Sequence, residues 1–467
     1  MNENNYKKAG TFYFIGNVFN KGIAFFTVPV FTRILSTSDY GIVTTYNSWI
    51  GILSMIMGFA LHMSVRMAAI DYKEKLDDFM SSIILFICLS SLGSIAIVTS
   101  IMKLFHVNTS IVLVLICMFQ ASATATIEDY SSYLMMQYRY KARTAFMILP
   151  NLISVMASIF TITIILNDNL YLGRIVPTAA IITLFGAIVV VLVMKKGKFR
   201  INKEYIKYAM AISAPLILHG IALNILSQSD RIMITSLADA AQTGIYSLIY
   251  NFSMIATVIT TTLEGIWVPW FINKLKVGSR DEIKIVARDY IHFMTYAMVS
   301  LILVAPEVVK ILANRNYWEG ISIIPPVVLS NFVIFAYSLY VNIEHYYKKT
   351  PYITCNTVIA AVSNIILNFI FIPRYGYVAA AYTTLASYII SFTLHSRYAK
   401  TLEPDLYPLN QFIKPLANLL IVTVLFYIFK EQPVIRWVLM CVYVIAMLYK
   451  ERSRLNVYFP GLPFWKN

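Results

Sequence analysis

Long runs of apolar residues, separated by short polar breaks, fill this chain from end to end. A helix that crosses a membrane needs about 20 mostly apolar residues. On that measure the pattern predicts an all-α polytopic membrane protein of about fourteen transmembrane helices. They fall at residues 10–35, 41–68, 79–103, 108–137, 144–166, 170–194, 205–236, 243–272, 286–312, 319–346, 351–372, 377–398, 412–429 and 433–449. The run after the polar segment 1–8 is too long for a signal-peptide core, and no small-residue cleavage site follows it, so it is expected to stay as the first span. The loops are short, and none holds a soluble catalytic domain. Any chemistry must use residues within the helices or at their edges.

The polar breaks alternate in charge. The loops Ser36–Tyr40, Asn167–Leu170, Leu237–Gln242 and Ala313–Trp318 are poor in Lys and Arg. The loops between them carry Lys73 and Lys75; Arg139, Lys141 and Arg143; the run Lys195–Lys207; Lys274, Lys276, Arg280, Lys284 and Arg288; Lys348 and Lys349; and Arg397 and Lys400. Basic loops stay on the cytoplasmic side. The alternation therefore predicts a multi-pass protein of a bacterial inner membrane with both termini in the cytoplasm.

Composition agrees. Of 467 residues, 58% are hydrophobic and only 13% charged, about half the charge that a soluble domain needs. The mean hydropathy is +0.67. A net charge of +15 raises nucleic acid as a partner, but the basic residues punctuate the apolar runs and form no soluble face. They are read as the positive-inside bias and as attraction to anionic lipid headgroups. Cys88, Cys117, Cys355 and Cys441 all lie in apolar stretches without a CxxC pair. They imply neither a disulfide nor a metal site, and no cofactor is expected.

A weak repeat links the two halves. Arg33-Ile34-Leu35 leads through a short turn to Asp39-Tyr40-Gly41-Ile42 before the second helix, and Asp230-Arg231-Ile232 leads to Gly244-Ile245-Tyr246 before the eighth. The repeat, with the basic run Lys195–Lys207 between its copies, predicts two six-helix lobes around a central cavity. They would cover residues 1–200 and 201–402, with two extra helices and a cytoplasmic tail in 403–467.

The same stretches carry a family resemblance. Lys21-Gly22-Ile23, Pro29, Thr32-Arg33-Ile34-Leu35-Ser36 and Asp39-Tyr40-Gly41 resemble the opening of polysaccharide-transporter proteins. Pro215–Gly220, Ser229-Asp230-Arg231 and Gly244–Ser247 resemble the start of their second lobe. Ile372–Ala381 is similar to their turn between helices eleven and twelve, with Val378 where the family usually has Gly. The resemblance implies the O-antigen and capsular flippase branch of the multidrug/oligosaccharidyl-lipid/polysaccharide exporter superfamily. Such proteins move an undecaprenyl-pyrophosphate-linked oligosaccharide to the outer leaflet by ion-driven alternating access of two lobes. The implied partners are that lipid-linked substrate, membrane lipids, and a polysaccharide polymerase with its chain-length regulator.

Ionisable residues deep in a span cost about 2.5–3.5 kcal/mol each by insertion scales and mark pathways or partners. Lys21 lies mid-helix, about 15 Å from either end at the helical rise, too far to snorkel easily. It is expected to meet the pyrophosphate as a point charge. Arg66, nearer the cytoplasmic end of the second helix, is its expected helper. Arg33 and Arg231, near outer helix ends, are further substrate-binding candidates, with gate or anchor roles as the alternative. Glu128, Asp129, Glu264 and Asp230 are the candidates for ion coupling, because a buried carboxylate can exchange a proton near neutral pH. Asp230 and Arg231 are adjacent on a helix and so do not face each other. His219 and His345 read as packing residues, and Glu344 as an interfacial carboxylate. Two other classes compete: a drug or metabolite antiporter of the same superfamily, and a membrane glycosyltransferase or polysaccharide polymerase. The second would show a large outer loop or an acidic cluster at a helix mouth, and this chain has neither.

Overall fold

The computed structural model describes residues 26–106 and 110–458, with Gly16, Phe19, Gly22 and Ile23 besides. Among the described residues the regular structure is all helical. Residues 26–34 form α1. There follow α2 (Thr37–Gly58), α3 (His62–Asp71), α4 (Leu76–Leu104), α5 (Ile111–Met136), α6 (Tyr140–Phe160), α7 (Leu170–Met194), α8 (Lys203–Leu237), α9 (Ala240–Phe252) and α10 (Met254–Lys276). The chain continues with α11 (Arg280–Leu312), α12 (Ile324–Tyr346), α13 (Thr350–Leu402), α14 (Asn410–Ile428) and α15 (Pro433–Tyr458).

Eleven helical stretches among the described residues are long and apolar enough to cross a membrane, and α8, bent by 49°, makes a twelfth. The protein is thus a multi-pass membrane protein, and the described residues alone do not add up to the expected fourteen spans. Most of the first helix lies outside the described residues. The eleventh and twelfth helices are joined into the 53-residue α13, which is broken only where Gly376 takes φ 57° and ψ −144°. The bend in α8 falls at Pro215, which has no N–H to give the helix.

By internal packing the chain divides into two units. Unit 1 is Met1–Ser247 with Asn368–Tyr377, and unit 2 is Leu248–Leu367 with Val378–Asn467.

In unit 1, α5 packs against α2 and α7, α2 against α8, and α6 against α7. Small residues allow this closeness, since lipid supplies no hydrophobic drive between helices. A Cβ on Gly58 would lie 2.5 Å from the Ala125 Cβ, and one on Gly186 would lie 2.6 Å from the Ala123 Cβ. α5 thus meets a glycine on each side. The expected loop at Ser36–Tyr40 shrinks to a cap. Ser36 Oγ accepts from the Asp39 N–H at 3.0 Å and donates to the Asp39 carboxylate at 2.6 Å, so the helix starts at Thr37. The expected second span is interrupted at Phe59 and Ala60, which take φ 51° and 49°. Beyond the break, α3 joins α4, α5, α7 and α8 around Val65, Ala68, Phe79, Ile83, Leu134 and Val189, all fully buried.

In unit 2, α11 is the organising helix. Ile283, Ala287, Ile291, Met294, Met298, Ile302 and Val309 recur at helical spacing and are buried against α10, α12, α14 and α15. α12 is covered on nearly every side. Arg436 ties α15 to α11: it is fully buried, and its guanidinium donates to the Leu303 carbonyl at 3.2 Å and to the Glu307 carboxylate at 3.0 Å. At the end of α13, Arg280 grips Glu403 through two bonds of 2.8 Å each, and Tyr347 donates to the same carboxylate at 2.6 Å. The Arg280 guanidinium holds the Glu403 carboxyl below the usual carboxylate range. This clasp is complete at neutral pH and is lost as pH falls through that lowered value.

Candidate functional site

Just past the break that follows α2, two side chains of α3, His62 and Arg66, open into a cavity inside unit 1. They are four residues apart, one helical turn, and so share a face. The cavity measures about 560 Å³, and its other walls come from α2, through Met55, and from α5, α6 and α7. α5 contributes Thr124, Glu128, Ser131 and Ser132; α6 contributes Arg143, Phe146, Pro150 and Asn151; α7 contributes Ile182. Glu128 and Ser132 are again one turn apart, and so are Arg143 and Met147. Arg143 Nε donates to Ser131 Oγ at 3.1 Å, which fixes the guanidinium at the mouth of α6. The lining therefore carries two guanidiniums against one carboxylate, with the His62 imidazole as a polar neighbour. In a low-dielectric setting that balance selects anions, and guanidinium matches the geometry of phosphate oxygens.

The expected candidates fall in different places. Arg66 and Glu128 line this one cavity. Asp129 does not: it is 2% exposed, turned into the helix packing, and its Oδ2 is buried without a hydrogen-bond partner among the described residues. Arg33 is exposed at the end of α1. Lys21 lies outside the described residues. Glu264, on α10, belongs to unit 2 and lies within electrostatic reach of Tyr337.

Asp230 and Arg231 hydrogen-bond different groups. Asp230 is 1% exposed and accepts from Tyr246 Oη at 2.5 Å and from Asn368 Nδ2 at 2.7 Å. Arg231 donates to the Ser227 carbonyl and to Gln228 Oε1, both at 3.1 Å, and Ser48 donates to that same Gln228 oxygen at 3.1 Å. Around them runs a row of hydroxyls: Thr45 meets Thr235 at 2.6 Å, Thr235 meets Thr243 at 2.7 Å, and Ser247 donates to Thr44 at 3.0 Å. The two glycines of the sequence repeat face each other's helix here. A Cβ on Gly41 would sit 1.7 Å from the Ala240 carbonyl oxygen, and one on Gly244 would sit 2.0 Å from that of Thr37. The repeat is therefore a packing motif, with glycine where each helix backbone touches the other.

Three residues escaped the sequence reading. Arg143 read as a loop cation because the fifth helix was expected at 144; α6 starts at Tyr140, which carries Arg143 into the cavity wall. His62 had no signal beyond its spacing to Arg66. Glu344 is not interfacial. It is 0% exposed and bonded to His395 at 2.8 Å, because α12 is covered even at its end.

An all-helical bundle with eleven to twelve candidate spans among the described residues, and a cavity lined by two guanidiniums in one of its units, defines a class: multi-span membrane proteins with a polar cavity inside an apolar bundle. The fold matches a lipid II flippase, MurJ, in an inward closed conformation, at TM-score 0.72 and 16% identity over 94% of this chain and 99% of that one. It also matches an inward-facing multidrug resistance MATE transporter of the MOP superfamily, at TM-score 0.56 and 12% identity over 82% and 96%. A MATE transporter from Vibrio cholerae, VcmN, matches at TM-score 0.54 and 13% identity over 86% and 99%. No curated protein matches the sequence. Residues 7–274 match the model of the polysaccharide biosynthesis protein family, and the chain belongs to that family.

Proposed function

We propose that this protein is the flippase of a surface-polysaccharide pathway, carrying undecaprenyl-pyrophosphate-linked oligosaccharide units from the inner to the outer leaflet of the cytoplasmic membrane. The observation that carries this reading is the cavity of unit 1, where Arg66 and Arg143 stand against Glu128. A doubly charged pyrophosphate cannot enter a low-dielectric slab without compensation, and this lining supplies it. A pump for organic cations needs the opposite sign of charge, which weighs against the drug-antiporter reading. The family match and the absence of any large loop weigh against a glycosyltransferase or polymerase. Lys21 is the second expected phosphate contact.

In this reading the lobes 1–200 and 201–402 are the moving bodies, with the termini in the cytoplasm, and an ion gradient drives the cycle. Glu128, with Asp230 and Glu264, is a coupling candidate: protonation of Glu128 would raise the positive balance of the cavity for loading, and deprotonation would lower it for release. Substrate charge is tested at Arg66. Arg66→Gln should slow flipping about 10- to 100-fold at matched membrane abundance, the equivalent of a hydrogen bond to a charged group at about 1.5–3 kcal/mol. Arg66→Lys should keep part of the rate. Cells carrying only Arg66→Gln should hold lipid-linked oligosaccharide in the inner leaflet and lack surface polysaccharide. Normal flux in Arg66→Gln would remove the cavity from the substrate path.

A further inference from the structure

Unit 2 holds a buried ionisable pair distinct from the cavity of unit 1. Glu344 Oε2 and His395 Nδ1 lie 2.8 Å apart, and the two side chains are 0% and 1% exposed. Both belong to a regular ladder. Tyr337 and Glu344 are two turns apart on α12, and Tyr388 and His395 are two turns apart on α13, so each pair shares a helix face. The Tyr337 ring lies nearly parallel to the His395 ring (centroids 5.6 Å apart, planes at 16°) and to the Tyr388 ring (6.3 Å, 15°). The other oxygen of the carboxylate, Glu344 Oε1, is buried with no hydrogen-bond partner among the described residues. The titratable groups around the pair are His345 on α12, within electrostatic reach of both members, and Tyr398 on α13, within reach of Glu344. Glu264 on α10 reaches Tyr337. No lysine or arginine is hydrogen-bonded or salt-bridged to the Glu344 carboxylate among the described residues.

The charge balance follows directly. A carboxylate beside a neutral imidazole leaves one net negative charge in a dry packing. One added proton, shared between Nδ1 and Oε2, makes the pair neutral. A buried net charge is costly and a neutral hydrogen-bonded pair is not, so the packed arrangement selects the proton-bound form.

We propose that Glu344 and His395 form a proton-binding site, filled while α12 and α13 are packed as here and emptied to cytoplasmic water when that packing opens. In the filling step a hydronium gives up one O–H bond, the pair gains one N–H or O–H bond, and one water is released. Raising the pH removes the proton, leaves the negative charge behind and disfavours the packed state. The site makes the proton the coupling ion, and in that respect it rests on the transport reading above.

Two measurements test it. Infrared pH-difference spectra of the purified protein, from about pH 5 to 9 on either side of the ordinary histidine value, should show a protonation step that is absent from both Glu344→Gln and His395→Gln. In proteoliposomes, flipping of a lipid-linked oligosaccharide by the wild type should change with pH by up to about tenfold per unit, the limit for one proton. Glu344→Gln should flip with a clearly shallower pH dependence than the wild type, keeping only what the cavity of unit 1 contributes. If a single variant fails to fold, the double variant Glu344→Gln with His395→Gln keeps an uncharged hydrogen-bonded pair and takes its place. A pair serving structure alone would lower the melting temperature and leave the pH profile of the folded variants like that of the wild type, and that result overturns the proposal. So does a wild-type spectrum whose titration is unchanged by either substitution. A wild type that flips nothing at any pH would sink the transport reading, while the spectra would still decide whether the pair binds a proton.

Discussion

Gly41→Val should reduce transport to about a hundredth or less at normal membrane abundance. The reason is steric. Even the first added carbon would stand 1.7 Å from the Ala240 carbonyl oxygen, a backbone atom that no side-chain rotation can move aside. Packed interiors yield little, and overpacking costs about 1–3 kcal/mol or more. Here the backbones of α2 and α9 must part by more than about 1 Å to reach normal contact. The contact is reciprocal, since a Cβ at Gly244 would stand 2.0 Å from the Thr37 carbonyl, so Gly244→Val should behave alike. In the proposed cycle this contact, on the side expected to face away from the cytoplasm, closes and opens once per turnover, and a valine would hold it open. Disulfide trapping checks this directly. Thr45→Cys with Thr235→Cys, whose hydroxyl oxygens are 2.6 Å apart, should cross-link in a background free of the native cysteines. The same pair should fail to cross-link when Gly41→Val is added. Full transport by Gly41→Val would mean that the contact is never required.

Arg436→Ala should destabilise the protein by about 3–5 kcal/mol, the usual cost of removing one partner of a buried ion pair. The guanidinium binds Glu307 and the carbonyls of Leu303 and Phe429 at once, and the substitution strands all three groups. α15 has few other anchors: only 6% of its spanning window is buried. Arg436→Met restores volume but still leaves Glu307 alone, so it should be nearly as damaging. Arg436→Met with Glu307→Leu removes both charges and should recover most of the loss. Thermal unfolding in one detergent, compared across the four proteins, gives the order. Equal melting of Arg436→Ala and wild type would show that α15 is held by something else.

Hydropathy found the helices because lipid imposes a length and a polarity that any spanning segment must meet. Helices α4, α5, α7 and α11 lie within a few residues of their expected positions for that reason. It could not find the break at Phe59 and Ala60, where no proline signals an interruption. The site beside that break was half legible: Arg66 and Glu128 stood out as charges in apolar runs, while Arg143 hid among loop cations. Glu344 and His395 are 51 residues apart in sequence. No local pattern pairs them, and only the packing of α12 on α13 does. The repeat glycines were visible as a motif, and their role as backbone contacts needed coordinates.

Movement of a lipid-linked oligosaccharide across a bilayer can be measured directly. Purified protein should be reconstituted into liposomes that carry undecaprenyl-pyrophosphate oligosaccharide in both leaflets, and the sugar on the outer face digested with a glycosidase. With wild-type protein, and faster under an imposed proton gradient, the protected inner pool should become digestible. With Arg66→Gln it should become digestible about 10- to 100-fold more slowly, and without protein it should stay protected. A protected pool that wild-type protein leaves untouched would contradict a flippase role.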